Sequence, residues 1–471
     1  MMNDDKKFKK GHTYLQWIFA LLANSTLFVY GLECGWISPT TKILQSDASP
    51  TGYPLSDNTI AWIASSMSMS AIFGVSVYSY IADTYGRKIG IILITMLEAI
   101  SWIIKLTYTS TTTLIIARLF SGLAAGGCFN TVPMYVKEIS QDDLRGTLGT
   151  LVMLMQTTGV LVMYLIGAYL DYYTVVIVAL ILPIVTCMLL FKAPESPAFL
   201  VKQGKIDEAT KTVARLRGLE EDDKLIQSIV EGMKNEDAHF KSLPDMSIAC
   251  IITEKTWRRG FVLIMTLFLF HGLNGAYAIV TYASTVLIST GVKFDISPEI
   301  QTLSFPIVMI IGALTLAAVV ERCGRKLLLI VCFLISALSM TVIAILMIIQ
   351  EQGGSVPSWL PVVAIILSVS MYGAGVSPLP YIILTEMFSF QIRAKVVGTV
   401  VTFAWFLTFV LVTIYAPMAN TLGQYAPFIF YATINLAGAF FTMIFIPETK
   451  GKSEEEILQL LRRRVKNDDI N

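Results

Sequence analysis

The segment Asp83-Thr-Tyr-Gly86-Arg87-Lys88 has a partner in Glu321-Arg-Cys-Gly324-Arg325-Lys326, an acid, a turn glycine and two bases in the same order. Two more pairs keep that order. Glu138 followed by Arg145 is matched by Glu386 followed by Arg393, and Pro194-Glu195-Ser196 is matched by Pro447-Glu448-Thr449. The members of each pair lie roughly 240 to 250 residues apart, about half of the 471-residue chain. Punctuation repeated at half the chain length marks two similar halves in one polypeptide.

What lies between the marks is apolar. Hydrophobic residues make up 55% of the chain and charged ones 15%, against about 45–50% and about 25% for a soluble globular protein. The apolar stretches run to roughly 20 residues, the length of helix that crosses about 30 Å of hydrocarbon. Twelve are predicted, near 15–37, 59–82, 89–108, 112–136, 147–170 and 174–193, then 260–288, 299–320, 327–350, 361–385, 396–418 and 426–446. Between the two sets of six, near 194–256, the chain turns polar. Ile206, Ala209, Val213 and Leu216 recur there at helical spacing and Gly218 follows as a stop, which predicts short amphipathic helices under the bundle.

Basic residues place the ends. Lys6, Lys7, Lys9 and Lys10, then Arg87 and Lys88, Arg145, the Lys-rich linker, Arg325 and Lys326, Arg393 and Lys395, and Arg462 to Arg464 all fall on one side of the predicted spans. Lys and Arg are retained on the cytoplasmic side, so both termini are expected in the cytoplasm. The first span is too long for a signal peptide, lacks a small-residue cleavage site and is expected to stay uncleaved. Six cysteines, Cys34, Cys128, Cys187, Cys250, Cys323 and Cys332, fall in spans or cytoplasmic loops and suggest neither a disulfide framework nor a metal site. His12, His239 and His271 are scattered, and no nucleophile–base set or phosphate loop accompanies them. An enzyme is not expected, and no cofactor is implied.

Further motifs narrow the class. Arg118-x-x-x-Gly122, Pro133-x-Tyr135-x-x-Glu138, Pro194-Glu-Ser-Pro197-Ala-Phe199-Leu200 and Pro447-Glu-Thr-Lys450-Gly451-Lys452-Ser453 closely resemble the sugar porter family of the major facilitator superfamily, over nearly the whole chain. Gly35-Trp36-Ile-Ser38-Pro39 is most similar to the insect trehalose-transporter branch. The resemblance implies an all-α membrane protein of twelve transmembrane helices in two pseudo-symmetric six-helix bundles, the major facilitator fold, with short cytoplasmic linker helices. The expected divisions are 1–193, an N-terminal bundle; 194–256, the linker; 257–446, a C-terminal bundle; and 447–471, a cytoplasmic tail. It further implies a central sugar site between the halves, and alternating access by rocking one half against the other.

Sugar hydroxyls need paired donors and acceptors, and the pyranose face needs an apolar ring. Aligning Gly275 and Tyr282 of the seventh span with the family pattern puts His271 and Gly272 on its two Gln positions and Tyr277 on its Asn. A second register takes Gly272-Leu-Asn274 as the Gly-x-Asn element. Met309 stands where many members carry Asn, Tyr381 replaces a Trp, Gln156 lies one turn from the expected Gln, and Trp405 is kept. The candidate substrate-binding residues are Gln156, His271, Asn274, Tyr277, Tyr282, Tyr381 and Trp405. The loss of several amides puts glucose in doubt as the main substrate. Glu33 aligns with the family's first-span acid or amide and Arg118 with its partner, so this pair is either a proton-coupling site or a fixed structural pair. Glu98 and Lys105 are read as bundle-facing or snorkelling residues rather than substrate ligands. Asp83, Arg87, Glu138, Arg145, Glu195, Glu321, Arg325, Glu386, Arg393 and Glu448 are the expected gating charges, joining the cytoplasmic ends of the halves in the outward-facing state.

The expected activity is carriage of trehalose or a hexose, facilitative or proton-coupled. A non-transporting sugar sensor and a carrier of another small metabolite are the alternatives. The expected partners are a small carbohydrate, the bilayer and, in the coupled case, protons; no nucleic acid is expected, and the functional unit is expected to be a monomer in the plasma membrane.

Overall fold

The computed structural model describes residues 11–242, 251, 253–291, 298–388, 390–452, 456–457 and 459–460. The basic runs at Lys6–Lys10 and Arg462–Arg464, and Cys250, lie outside them. Among the described residues the regular structure is entirely helical. In the first half α1 (Tyr14–Gly35) and α2 (Ile37–Leu44) form one broken span, followed by α3 (Asp57–Thr84), α4 (Arg87–Thr107), α5 (Thr111–Ile139), α6 (Asp142–Tyr169) and α7 (Tyr172–Leu190). The linker forms α8 (Pro197–Lys202), α9 (Ile206–Arg217) and α10 (Lys224–Ser242).

The second half opens with a span in three pieces, α11 (Lys255–Gly272), α12 (Ala276–Thr281) and α13 (Ala283–Ser289). After α14 (Pro298–Gln301) come α15 (Ser304–Cys323) and α16 (Arg325–Glu351). The tenth span is α17 (Trp359–Met371), a π turn (Tyr372–Val376) and α18 (Pro378–Met387), before α19 (Phe390–Leu422) and α20 (Ala426–Phe445). Eleven of these spans are long and apolar enough to cross a bilayer, and the remaining one, in α15, has a shorter apolar stretch over Ser304–Val320. Twelve spans in two sets of six agree with the sequence expectation.

The expected continuous seventh and tenth spans are interrupted, and the reason is local. Gly275 has φ +94°, a conformation that favours glycine, and a Cβ there would stand 2.4 Å from the Tyr431 ring. Asn274 Oδ1 accepts from the Ala276 N–H at 3.0 Å and restarts the helix. In the tenth span Pro380 has no N–H to give the Val376 carbonyl four residues earlier. Just before it, the Ser377 N–H reaches back five residues to Tyr372 O at 2.9 Å, which widens the turn.

Within the first half, small residues set the approach of the helices. A Cβ on Gly31 of α1 would lie 2.1 Å from Gln156 O of α6, and one on Gly159 of α6 would lie 2.1 Å from Phe28 O of α1. Such close backbone approach is how helices associate where lipid removes the hydrophobic driving force. The linker docks on the same half. Ala209, Val213 and Leu216 are buried, Gly218 at φ +63° ends α9, and Gln16 of α1 donates to Leu216 O at 3.3 Å. The amphipathic spacing in the sequence therefore corresponds to real docking faces.

Candidate functional site

The duplicated motifs build duplicated charge networks. In the first half Arg87 Nε donates to Glu138 Oε2 at 3.0 Å and its Nη2 to Oε1 at 3.1 Å, a two-pronged pair. Ser196 Oγ also donates to Glu138. Glu195 accepts the backbone N–H groups of Arg87 at 3.0 Å, Lys88 at 3.1 Å and Ser196 at 2.8 Å, capping the start of α4. In the second half Arg325 Nη2 lies 3.1 Å from Glu386 Oε1, and Glu448 accepts the N–H groups of Arg325 and Lys326 at 3.1 Å each. A carboxylate at a helix N-terminus meets unpaired N–H groups and the positive end of the dipole. Glycine precedes each helix because the carboxylate comes so close: a Cβ on Gly86 would stand 2.3 Å from Glu195 Oε2, and one on Gly324 2.6 Å from Glu448 Oε2.

The two capping carboxyls differ. Burial pushes Glu195 above the usual carboxylate range, against the N–H groups of Ser196, Lys88 and Arg87. Burial also raises Glu448, but the N–H groups of Lys450, Arg325, Lys326 and Thr449 outweigh it and hold the carboxyl below that range.

The other expected gating residues lie near these networks without bridging the halves. Asp83 pairs with Arg87 at 3.6 Å and Lys202 at 3.4 Å. Arg145 turns to Asp142 at 2.5 Å, and Arg393 Nε donates to Phe388 O at 3.0 Å. The side chain of Glu321 lies outside the described residues.

Contact between the halves gathers toward the other end of the spans. Ser38 Oγ and Ser284 Oγ are 3.1 Å apart, Tyr164 OH donates to Val280 O, and Asn420 Nδ2 donates to Asp57 Oδ2 at 3.4 Å. A cavity of about 60 Å³ remains between them, lined by Gln45, Asp57, Tyr282, Tyr415 and Asn420 among others. Tyr282 stacks on Tyr415 there, with centroids 4.9 Å apart, and its hydroxyl donates to Val412 O at 3.1 Å.

Midway along the spans the halves share an aromatic layer. Trp405 meets Tyr30 edge-on at 6.2 Å and Phe129 at 6.3 Å, and Tyr277 OH lies 3.6 Å from Cys34 Sγ. His271 Nδ1 lies 2.8 Å from Val376 O, the carbonyl that Pro380 leaves without its helical donor. This bond assigns the proton to Nδ1 and leaves Nε2 an acceptor. Tyr381 packs edge-on against His271 at 5.7 Å and Phe268 at 4.9 Å. Asn274 is buried within the break of the seventh span, its carbonyl accepting from Asn435 at 2.8 Å. Gln156 is half-buried on α6, its backbone against Gly31. A cavity of about 520 Å³ elsewhere is a different feature, an apolar groove between α16 and α20.

Glu33 has more partners than the sequence suggested. Arg118 Nη1 lies 3.2 Å from its Oε2 and 2.6 Å from its backbone carbonyl. Lys105 Nζ lies 2.5 Å from the same Oε2, and Ser101 Oγ donates to Oε1 at 2.9 Å. Lys105 is fully buried and its ammonium sits over the rings of Trp102 at 3.9 Å and Trp36 at 4.6 Å. Snorkelling is thereby excluded for Lys105, and Glu98 on the same helix is buried as well. Residue spacing gave no sign of this contact: Lys105 is one charge in an apolar span, 72 positions from Glu33.

Two six-span halves, matched charge networks at one end and an aromatic layer between them define a membrane carrier of the major facilitator class. Comparison with known proteins agrees. The family model described as "Sugar (and other) transporter" matches residues 19–461, and the chain belongs to this family. It is similar to "Facilitated trehalose transporter Tret1" of Culex quinquefasciatus, 25% identical over 457 residues covering 96% of this chain and 87% of that protein. The same-named protein of Anopheles gambiae is 25% identical over 97% of this chain, which spans 57% of its length. Among solved structures, the inward-open xylose transporter XylE of E. coli superposes with a TM-score of 0.78 at 20% identity, covering 94% of this chain and 99% of that one. The family consists of carriers, and the chain is not an enzyme.

Proposed function

We propose that this chain carries trehalose or a hexose down its gradient across the plasma membrane as a monomer, with both termini in the cytoplasm. The observation that supports alternating access best is the unequal placement of the ties between halves. Ser38–Ser284, Tyr164–Val280 and Asp57–Asn420 join them toward one end, while Arg87–Glu138 and Arg325–Glu386 each close within one half at the other. With the Gly-Arg-Lys loops cytoplasmic, this is the inward-facing arrangement. In the outward-facing arrangement the same charges would meet across the halves and the outer ties would part.

The aromatic layer and His271 form the proposed sugar site. The rings of Tyr30, Phe129 and Trp405 offer a face for a pyranose, and His271 Nε2 and the Tyr277 hydroxyl offer polar partners. The lost amides favour a substrate held more by stacking than by paired amide hydrogen bonds. The relatives' trehalose name and the first-span likeness support trehalose as the first sugar to try.

The test is uptake of labelled trehalose, glucose and fructose by liposomes holding the purified full chain. At least one of the three is expected to equilibrate, with uptake lowered in Trp405→Ala and His271→Ala. If none enters and a broader sugar panel also fails, while a non-sugar metabolite is carried, the proposal is wrong.

A further inference from the structure

By its alignment with the family's first-span acid, Glu33 is the candidate for a transport cycle coupled to protons, yet its surroundings oppose that role. One carboxylate faces two cations: Arg118 at 3.2 Å and Lys105 at 2.5 Å, all three at most 2% exposed. Its other oxygen is held by Ser101 at 2.9 Å. A proton bound to Glu33 would leave two buried positive charges beside each other with no other carboxylate among the described residues paired to either, and uncompensated buried charge is strongly unfavourable. With Arg118 alone, protonation would free one cation. With Lys105 present it frees two, and neither reaches water.

We infer that Lys105 is a built-in counter-cation for Glu33, a positioning residue that keeps this carboxylate ionised through the transport cycle and makes sugar movement independent of protons. Its seat is specific. Trp102 from α4 and Trp36 at the junction of α1 and α2 form an aromatic box around the ammonium, 3.9 Å and 4.6 Å from the ring centres. Such rings stabilise a cation without contributing a proton of their own.

The remaining ionisable neighbours are few. α4 also contributes Glu98, two helical turns before Lys105, with one oxygen 3.8 Å from Cys128 Sγ of α5 and the other without a hydrogen bond. Cys34 from α1 and Tyr172 from α7 are further titratable groups in this region. α3 offers Arg118 only the carbonyls of Ile63 and Ala64, each at 3.4 Å, and α12 places the Tyr277 hydroxyl against Cys34.

The inference rests on the facilitative reading above, and its test has one readout that needs transport and one that does not. In liposomes with an inward proton gradient, the wild type is expected to bring labelled trehalose to equal concentrations inside and outside. Lys105→Met is expected to accumulate it, up to about tenfold per pH unit for one proton per sugar. Accumulation should vanish in Lys105→Met/Glu33→Gln and persist in Lys105→Met/Glu98→Gln.

The second readout is tryptophan fluorescence of the purified full chain, since Trp36 and Trp102 touch the ammonium. Across about pH 5 to 7 the wild type should show no step that depends on Glu33, and Lys105→Met should show a step that Glu33→Gln removes. A purely structural Lys105 would lower stability without creating either pH response. The inference is overturned if folded Lys105→Met equilibrates sugar without accumulation and shows no step. It is equally overturned if the wild type itself shows a Glu33-dependent step, a result that decides the matter even where Lys105→Met does not fold. If neither trehalose nor any other sugar moves, the proposed function fails on its own, and the fluorescence titration still decides the role of Lys105.

Discussion

Replacing Arg118 by Met should destabilise the first half far more than any exposed charge change, and the structure sets the size. The guanidinium donates to Glu33 O at 2.6 Å and Oε2 at 3.2 Å, and to Ile63 O and Ala64 O at 3.4 Å, thereby tying α1, α3 and α5. Removing one member of a buried ion pair costs about 3–5 kcal/mol. Here Lys105 still neutralises the carboxylate, so the lower end applies, about 3 kcal/mol. At about 2–4 °C per kcal/mol for a unit of about 150–250 residues, the apparent melting temperature should fall by about 6–12 °C. The matched control is Arg145→Met, whose pair with Asp142 is 43% and 89% exposed and worth about 0–1 kcal/mol. Arg118→Lys should rescue poorly, because one ammonium lacks the planar fork that reaches two neighbouring helices. The assay is thermal unfolding in detergent followed by size-exclusion chromatography. A shift for Arg118→Met no larger than that for Arg145→Met would refute the reasoning.

Three other outcomes are expected. Gly31→Ala should lower the melting temperature through overpacking of about 1–3 kcal/mol, since its Cβ meets Gln156 O at 2.1 Å; Gly146→Ala, with open space around it, should leave it unchanged or raise it. His271→Ala should cost about 1–3 kcal/mol by stranding the Val376 carbonyl, and the penalty should shrink in a Pro380→Ala background that restores an N–H; equal penalties in the two backgrounds would contradict this account of the Val376 carbonyl. Because the Glu448 carboxyl lies below its ordinary range, its stabilisation is present at neutral pH and lost as pH falls through its folded value. Glu195 lies above that range, so its contribution is present in acid and lost as pH rises through its folded value. In thermal-shift profiles against pH, Glu448→Gln should therefore be the more harmful change at neutral pH and approach the wild type in acid, and parallel profiles for Glu448→Gln and Glu195→Gln would contradict the assignment.

Much of the architecture could be read from the chain. Twelve spans, the halfway repeat and the linker helices follow from apolar length and periodicity, because a helix in lipid satisfies its own backbone and needs no knowledge of its neighbours. The interruptions were less legible. Gly275 is needed against Tyr431, 156 positions away, and the π turn is completed by His271 from another span; neither partner is visible locally. The charged residues of the repeated motifs were legible as types and positions. Which acid each arginine chooses was not, and Arg145, placed seven residues after Glu138, turns to Asp142 instead.

By itself the sequence determined the class of molecule, since apolar length, the basic side of the loops and the repeated motifs are properties of the chain that survive any packing. Only tertiary structure decided how the charges are spent: Arg87 and Arg325 each paired with an acid of its own half, and Glu33 shared between Arg118 and a Lys105 held in an aromatic box. The physical reason is that a charge in a low-dielectric interior is governed by the few groups within hydrogen-bond reach, and those groups come from helices that only folding brings together.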